Sequence, residues 1–155
     1  MGLKGIAFAA ALVGACGAGT FESGDSASEP GAPDGAVRHF EQFANAHRVS
    51  VGCTALRWDG PAAAVAQAHA EDMVRRDFFS HTNPDGKSPF DRLRAAGVTY
   101  RSAAENIAYG YSTAAGVLEA WMNSDGHRRN LENCAYTHHG VGLSQGKWVH
   151  VFIGR

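Results

Sequence analysis

Lysine and arginine are scattered along this chain, and no basic stripe is interleaved with stacking aromatics. That lack excludes the electrostatic footprint of a nucleic-acid binder. The uncharged run at residues 5–15 is too short for the ~20 helical residues that cross a bilayer. No internal repeat is present, and no HExxH or other short metal-ligand spacing. No glycine-flanked nucleophile elbow surrounds Ser80, and neither Cys53 nor Cys134 carries a nucleophile signature. A length of 155 residues with a formal net charge of −1 suits one domain.

What is present begins with an export signal. Residues 1–16, MGLKGIAFAAALVGAC, place one early cation, Lys4, before the uncharged run. The end, Val13-Gly14-Ala15-Cys16, resembles a bacterial lipobox, in which the cysteine is lipidated and becomes the mature N-terminus. An ordinary secretory signal cut nearby is the alternative. Residues 17–35 are rich in Gly, Ser, Ala, Pro and acids, with no apolar period. They read as a flexible tether, and the domain is expected over 36–155. Setting Cys16 aside leaves Cys53 and Cys134, which in an exported chain read as a disulfide. A catalytic thiol with a histidine partner is the competing reading.

Within the domain, Val37, Phe40, Phe43 or Ala44, and His47 fall at helical spacing and predict a helix over 36–48. Pro61 opens an alanine-rich helix with Val65, His69 and Met73 on one face. His69 on that stripe reads as a hydrogen-bonded core residue, with a ligand role as the alternative. Ser88, Pro89, Asp91 and Gly97 mark a short helix from cap to stop. A further helix carries Val117, Leu118 and Trp121, and Ser124 or Asp125 caps the turn after it. The chain then changes period: THHGVGLS and KWVHVFIG read as strands joined by Gln145-Gly146, and residues 105–110 as a third. Trp148, His150 and Phe152 alternate with Val149, Val151 and Ile153, so both faces of the last strand are apolar and need helices over them. The fold class is α+β, an α-β-α sandwich with a small antiparallel sheet.

His81 stands at a boundary. Phe78 and Phe79 precede it and call for burial, whereas Asn83-Pro84-Asp85-Gly86 is a surface turn. Such a histidine either caps a turn or points into a cleft.

Three stretches decide between these readings. AQAHAEDMVRRDFFSHTNPDGKSPFDRLRAAGV, AENIAYGYSTAAGVLEAWMNSDGHRRNL, and HHGVGL with WVHVFIG resemble, in that order, the bacterial branch of the CAP superfamily. This is the family of cysteine-rich secretory proteins, antigen 5 and pathogenesis-related 1 proteins, also called SCP-like domains. The resemblance runs from about Ala36 to the C-terminus. It implies an α-β-α sandwich with a cleft in which His81 matches the histidine of the Ser-His segment, Glu105 the glutamate of Gly-Glu-Asn, and His127 the histidine of Gly-His. Two positions depart from the pattern. Ala104 replaces the motif glycine, so a positive φ there is either absent or strained. Ser124 stands where eukaryotic members carry a second glutamate after the tryptophan, and Glu119 does not replace it by position.

Two imidazoles and a carboxylate make a possible first shell for Zn²⁺, with His81, His127 and Glu105 as ligands and a fourth position open. A hydrogen-bonded polar cluster without metal is the alternative. For hydrolysis, a histidine could act as base and Glu105 as its orienter, but Ser80 beside His81 makes a poor nucleophile candidate. His138 and His139 point to opposite faces of a strand and cannot share one metal. The expected function is an exported, monomeric binding module for a small amphipathic ligand or cell-envelope component, touching the membrane through lipid on Cys16. A metal-assisted peptidase or esterase using the same residues is the alternative. Phe78, Phe79, Ile107 and Trp121 supply either ligand contact or core packing.

Overall fold

Asp34 accepts a hydrogen bond from the Val37 amide and starts the first helix, α1 (Gly35–Ser50), in the computed structural model, which describes residues 34–155. The helix thus begins one residue before the expected domain boundary. The export signal, Cys16 and nearly all of the tether lie outside the described residues. Val37, Phe40, Ala44 and Arg48 form the buried stripe of α1, so Ala44 rather than Phe43 lies inward, and Arg48 takes the place expected for His47.

The remaining elements are β1 (Arg57–Trp58), α2 (Gly60–Arg75), α3 (Pro89–Ala95), β2 (Ser102–Tyr109), α4 (Ala114–Met122), α5 (Asp125–Leu131), β3 (His138–Ser144) and β4 (Lys147–Gly154). The sheet order is β1-β3-β4-β2. Its three long strands are antiparallel, and the two-residue β1 adds a parallel edge beside His138 and His139. Gln145 and Gly146 both take positive φ, the geometry of a tight hairpin, between β3 and β4.

The alternation in β4 holds along its length. Val149, Val151 and Ile153 pack with Ile107 against Ala62, Val65, Ala66, Ala70 and Met73 of α2 and Leu93 of α3. Trp148 and Phe152 face Val37 and Phe40 of α1, Val117 and Trp121 of α4, and Leu131 of α5. Helices therefore cover both faces of the sheet, the expected sandwich.

Gly140 and Gly142 let α2 lie directly on β3. A Cβ at Gly140 would come 2.1 Å from the Ala63 nitrogen, and one at Gly142 would come 2.3 Å from the Gln67 nitrogen. The alanines of α2 and these glycines form one close contact, and the Gln67 side chain seals it. Its amide accepts from the Leu143 N–H at 2.9 Å and donates to the Leu143 carbonyl at 3.1 Å.

Cys53 and Cys134 form a disulfide across 81 residues of sequence. In the chain-entropy account a closure of this length stabilises the fold by about 4.5 kcal/mol, the upper part of the range that disulfides deliver. Their pairing sets aside the catalytic-thiol reading.

On the α1 side of the sheet, His139 and His150 are fully buried and share a hydrogen bond, Nδ1 to Nε2, of 3.0 Å. Burial, first, and the neighbouring His139 and Arg48, second, hold His150 well below the ordinary histidine range. Burial likewise lowers His69. Histidines with depressed folded-state values stabilise the fold above the unfolded value of about 6.5 and lose that contribution as pH falls. Urea unfolding should therefore show about 1–2 kcal/mol less stability at pH 5.5 than at pH 7.5. A flat stability between those values would contradict this account of the buried imidazoles.

Candidate functional site

β2 is an outer strand, and consecutive residues on it point to opposite faces of the sheet. Glu105 and Asn106 divide their work accordingly. Glu105 lies on the α2 and α3 side, where Oε1 accepts from His81 Nδ1 at 2.9 Å and Oε2 accepts from Arg92 Nη2 at 2.8 Å. Its side chain is 1% exposed, and that of His81 is 49% exposed. Asn106 lies on the other side and holds α5. Its Nδ2 donates to the His127 carbonyl at 3.1 Å, and its Oδ1 accepts from Asn130 at 2.8 Å.

The loop that delivers His81 is built by its own side chains. Asn83 Oδ1 accepts from the amides of Asp85 and Lys87, closing the turn. Ser88 and Asp91 then form a reciprocal capping box at the start of α3, with Pro89 in the first turn. The Ser88 hydroxyl and amide, followed by Arg94, hold the Asp91 carboxyl down at about 2. With α3 fixed in this way, Arg92 reaches back to the loop, donating to the His81 carbonyl at 2.8 Å and the Lys87 carbonyl at 3.0 Å.

His127 enters from α5. Its Nδ1 lies 2.9 Å from Ser124 Oγ, and its ring packs against Trp121 with centroids 6.3 Å apart. Burial, and after it the charge of nearby His81, keep His127 below the ordinary histidine range. Each of the two imidazoles is thus tied through Nδ1. Ser124, the position at which eukaryotic members of the resembled family carry a second glutamate, meets the second ring through its hydroxyl as Glu105 meets the first through its carboxylate.

Several other candidates fall elsewhere. Both Glu105 oxygens are engaged by His81 and Arg92. Among the described residues no group of three or more His, Cys, Asp or Glu side chains is placed to hold a metal ion. Ala104 sits in regular β2 pairing opposite Phe152, with no positive φ, so the missing glycine leaves no strain. Ser80 Oγ accepts from the Thr82 amide, and the Ser80 carbonyl accepts from His69 Nε2 at 2.9 Å. His69 is accordingly the hydrogen-bonded core residue of the first reading. His138 Nδ1 is hydrogen-bonded with Thr137 Oγ1 at 2.8 Å, and His139 turns into the core. Ile107 and Trp121 are core residues, and Trp121 Nε1 donates to the Ile107 carbonyl at 3.2 Å.

Phe79, by contrast, is 50% exposed and lies 6.3 Å, ring to ring, from Tyr109, which is 61% exposed. These aromatics stand two residues before His81 and at the end of the strand that carries Glu105. Neither Tyr109 nor Arg92 was signalled by the sequence as a site residue. The arginine lies in the recognisable segment SPFDRL, but its partners are set by tertiary contacts.

Comparison with known proteins adds to this geometry. Residues 28–153 match the family described as CAP, the cysteine-rich secretory protein family. This chain belongs to the CAP family. Its CAP domain is 40% identical over 116 residues to YkwD of Bacillus subtilis, covering 74% of this chain and 45% of that protein. It is 43% identical over 111 residues to YlbC, a membrane protein of the same organism, covering 72% of this chain and 32% of that protein. The chain thus spans less than half the length of these two relatives. Among solved structures, an extracellular SCP-domain protein from Bacillus anthracis superimposes with a TM-score of 0.74 at 35% identity, over 76% of this chain and 40% of that one. An outer surface protein from Borrelia burgdorferi shares the CAP fold, with a TM-score of 0.71 at 21% identity over 77% of this chain and 92% of that one.

Proposed function

We propose that this protein is an exported CAP domain that binds a small amphipathic ligand of the cell envelope at the rim formed by His81, Glu105 and His127. The observation that carries the reading is the His81–Glu105 bond of 2.9 Å on a strand whose far end sets the exposed ring of Tyr109 against that of Phe79. Polar groups held in fixed orientation next to apolar surface suit a ligand with a polar head and an apolar body. Export is supported by the signal-like residues 1–16 and by the similar SCP-domain protein described as extracellular. Among the described residues no helix is long and apolar enough to cross a membrane. Anchoring through Cys16 belongs to the same proposal, as does a monomeric state.

A divalent metal such as zinc enters this proposal only as a two-histidine contact, since both Glu105 oxygens are already engaged. His81 and His127 would hold it through Nε2, and it would supply Lewis-acid polarisation of a ligand oxygen. Glu105 would stand behind His81 as its hydrogen-bond partner, the arrangement that orients metal-bound imidazoles. Hydrolysis is the second reading, favoured by the His81–Glu105 pair, in which a carboxylate orients a histidine able to accept a proton.

Calorimetric titration of the mature chain with Zn²⁺ and with lysophospholipid micelles tests the binding reading. We expect saturable binding that weakens about tenfold or more in His81→Ala or His127→Ala, in line with loss of a direct contact. Undiminished binding in both folded variants would end the assignment to this rim. Turnover of ester or peptide substrates abolished by Glu105→Gln would replace binding with hydrolysis.

A further inference from the structure

Arg92 is the residue of this region whose contacts ask for more than a structural explanation. Its hydrogen bonds run to three acceptors: the His81 carbonyl, the Lys87 carbonyl and Glu105 Oε2. One guanidinium therefore grips the backbone of His81 and, separately, the carboxylate that grips its ring. Its side chain is 13% exposed and that of Glu105 is 1% exposed, so the pair lies largely out of water. The remaining nitrogen, Nε, is buried without a protein partner, and Arg92 borders an open cavity of about 380 Å³ shared with His69, Asp72, Arg76 and Asn83. All its protein hydrogen bonds thus act on the His81 side.

The chemistry of the carboxylate fixes the rest. An ionised carboxylate only accepts, so His81 Nδ1 must carry the proton in the 2.9 Å bond to Glu105. In the neutral ring this leaves Nε2 as an unprotonated acceptor, the reverse of the form favoured by a free histidine side chain. Which nitrogen carries the proton is set by the hydrogen bond made at the other. A Glu105 side chain free to rotate would not impose that choice.

We propose that Arg92 is the positioning residue of the site: by holding the Glu105 carboxylate and the His81 backbone together, it locks His81 in the Nδ1–H tautomer and presents Nε2 as an acceptor. This rests on the reading of the rim as a binding site and adds the class of group it takes. Such an acceptor selects a metal ion or a hydrogen-bond-donating head group, a hydroxyl or an amine. An arginine is required because its planar fork reaches the carboxylate and the carbonyls at once, whereas a lysine offers a single charged point.

Long-range ¹H–¹⁵N spectra of the histidine rings, recorded in alkaline buffer, test this without any ligand. The parent protein should show Nδ1 protonated and Nε2 bare. Arg92→Gln should move the ring to a mixture of tautomers, and Arg92→Lys should fall between the two. Adding Arg92→Gln to Glu105→Gln should shift the tautomer little further, because the residue acts through the carboxylate. With Zn²⁺ as probe, affinity should fall about tenfold in Arg92→Gln, as for loss of a group that orients a metal-binding histidine. A parent ring protonated on Nε2 would overturn the proposal. So would a parent-like tautomer in Arg92→Lys and in any folded Arg92→Gln; should the glutamine variant fail to fold, the lysine variant decides. Absence of binding to any probe, with the tautomer shift intact, would count against the rim as a ligand site and leave the role of Arg92 standing.

Discussion

Arg48→Met should destabilise the domain by about 3–5 kcal/mol, in line with roughly 1–3 kcal/mol for each buried carbonyl left without its donor. Arg48 is fully buried, and its guanidinium donates to the carbonyls of Thr54, Leu131, Asn133 and Tyr136. Met fills much of the volume but leaves four carbonyls without these donors, and those of Leu131 and Tyr136 are shut off from water. Thermal unfolding should fall by roughly 10–20 °C for a domain of this size. The segments that Arg48 ties to α1 are also joined by the Cys53–Cys134 disulfide. The loss should therefore be smaller in oxidised than in reduced protein, since two constraints on one junction are not additive. A loss under 1 kcal/mol in the oxidised protein would show that the carbonyls find other partners.

Gly142→Ala should cost about 3 kcal/mol or prevent folding, at the upper end of what overpacking does. The new methyl would meet the Gln67 nitrogen at 2.3 Å and the Ala66 carbonyl carbon at 2.4 Å, both backbone atoms within a helix. Neither can rotate away, so α2 must lift from β3, and the Gln67–Leu143 amide pair must open with it. Gly126→Ala supplies the control. Gly126 lies in α5 with nothing within 4 Å of the added carbon, and alanine is the better helix former there. Equal effects of the two substitutions on urea midpoints would refute the close-contact argument.

Much of this fold is legible in the chain because local pattern and global environment agree. The β4 alternation dictated two covered faces, the Ser88-Pro89-Asp91 grouping marked the start of α3, and Gln145-Gly146 marked the hairpin. β1 escaped notice because two residues carry no period; its existence depends on β3 lying alongside. The inward turn of Ala44 in place of Phe43 is likewise set by partners outside the helix.

The site is legible to a different depth. His81, Glu105 and His127 were singled out through motifs; the structure bonds His81 to Glu105 and carries His127 on α5. The division of labour between Glu105 and Asn106 follows from strand geometry once β2 is known to be an edge, but no spacing in the sequence reveals that Arg92 occupies the second carboxylate oxygen. A guanidinium on an exposed-looking helix, Arg92 between Asp91 and Leu93, reads as a solvated charge until its loop is folded back over it.

The two imidazoles belong to different halves of the sandwich. His81 is fastened through Glu105 and Arg92 to the layer of α2 and α3, and His127 is carried by α5 in the layer of α1 and α4. Anything that bonds to both rings would pin the halves together at their margin, much as a rivet joins two plates past the edge of the sheet between them. Its occupancy would register as resistance to shear between the helical layers, so that the rim would report mechanically on the whole domain whatever chemistry takes place there.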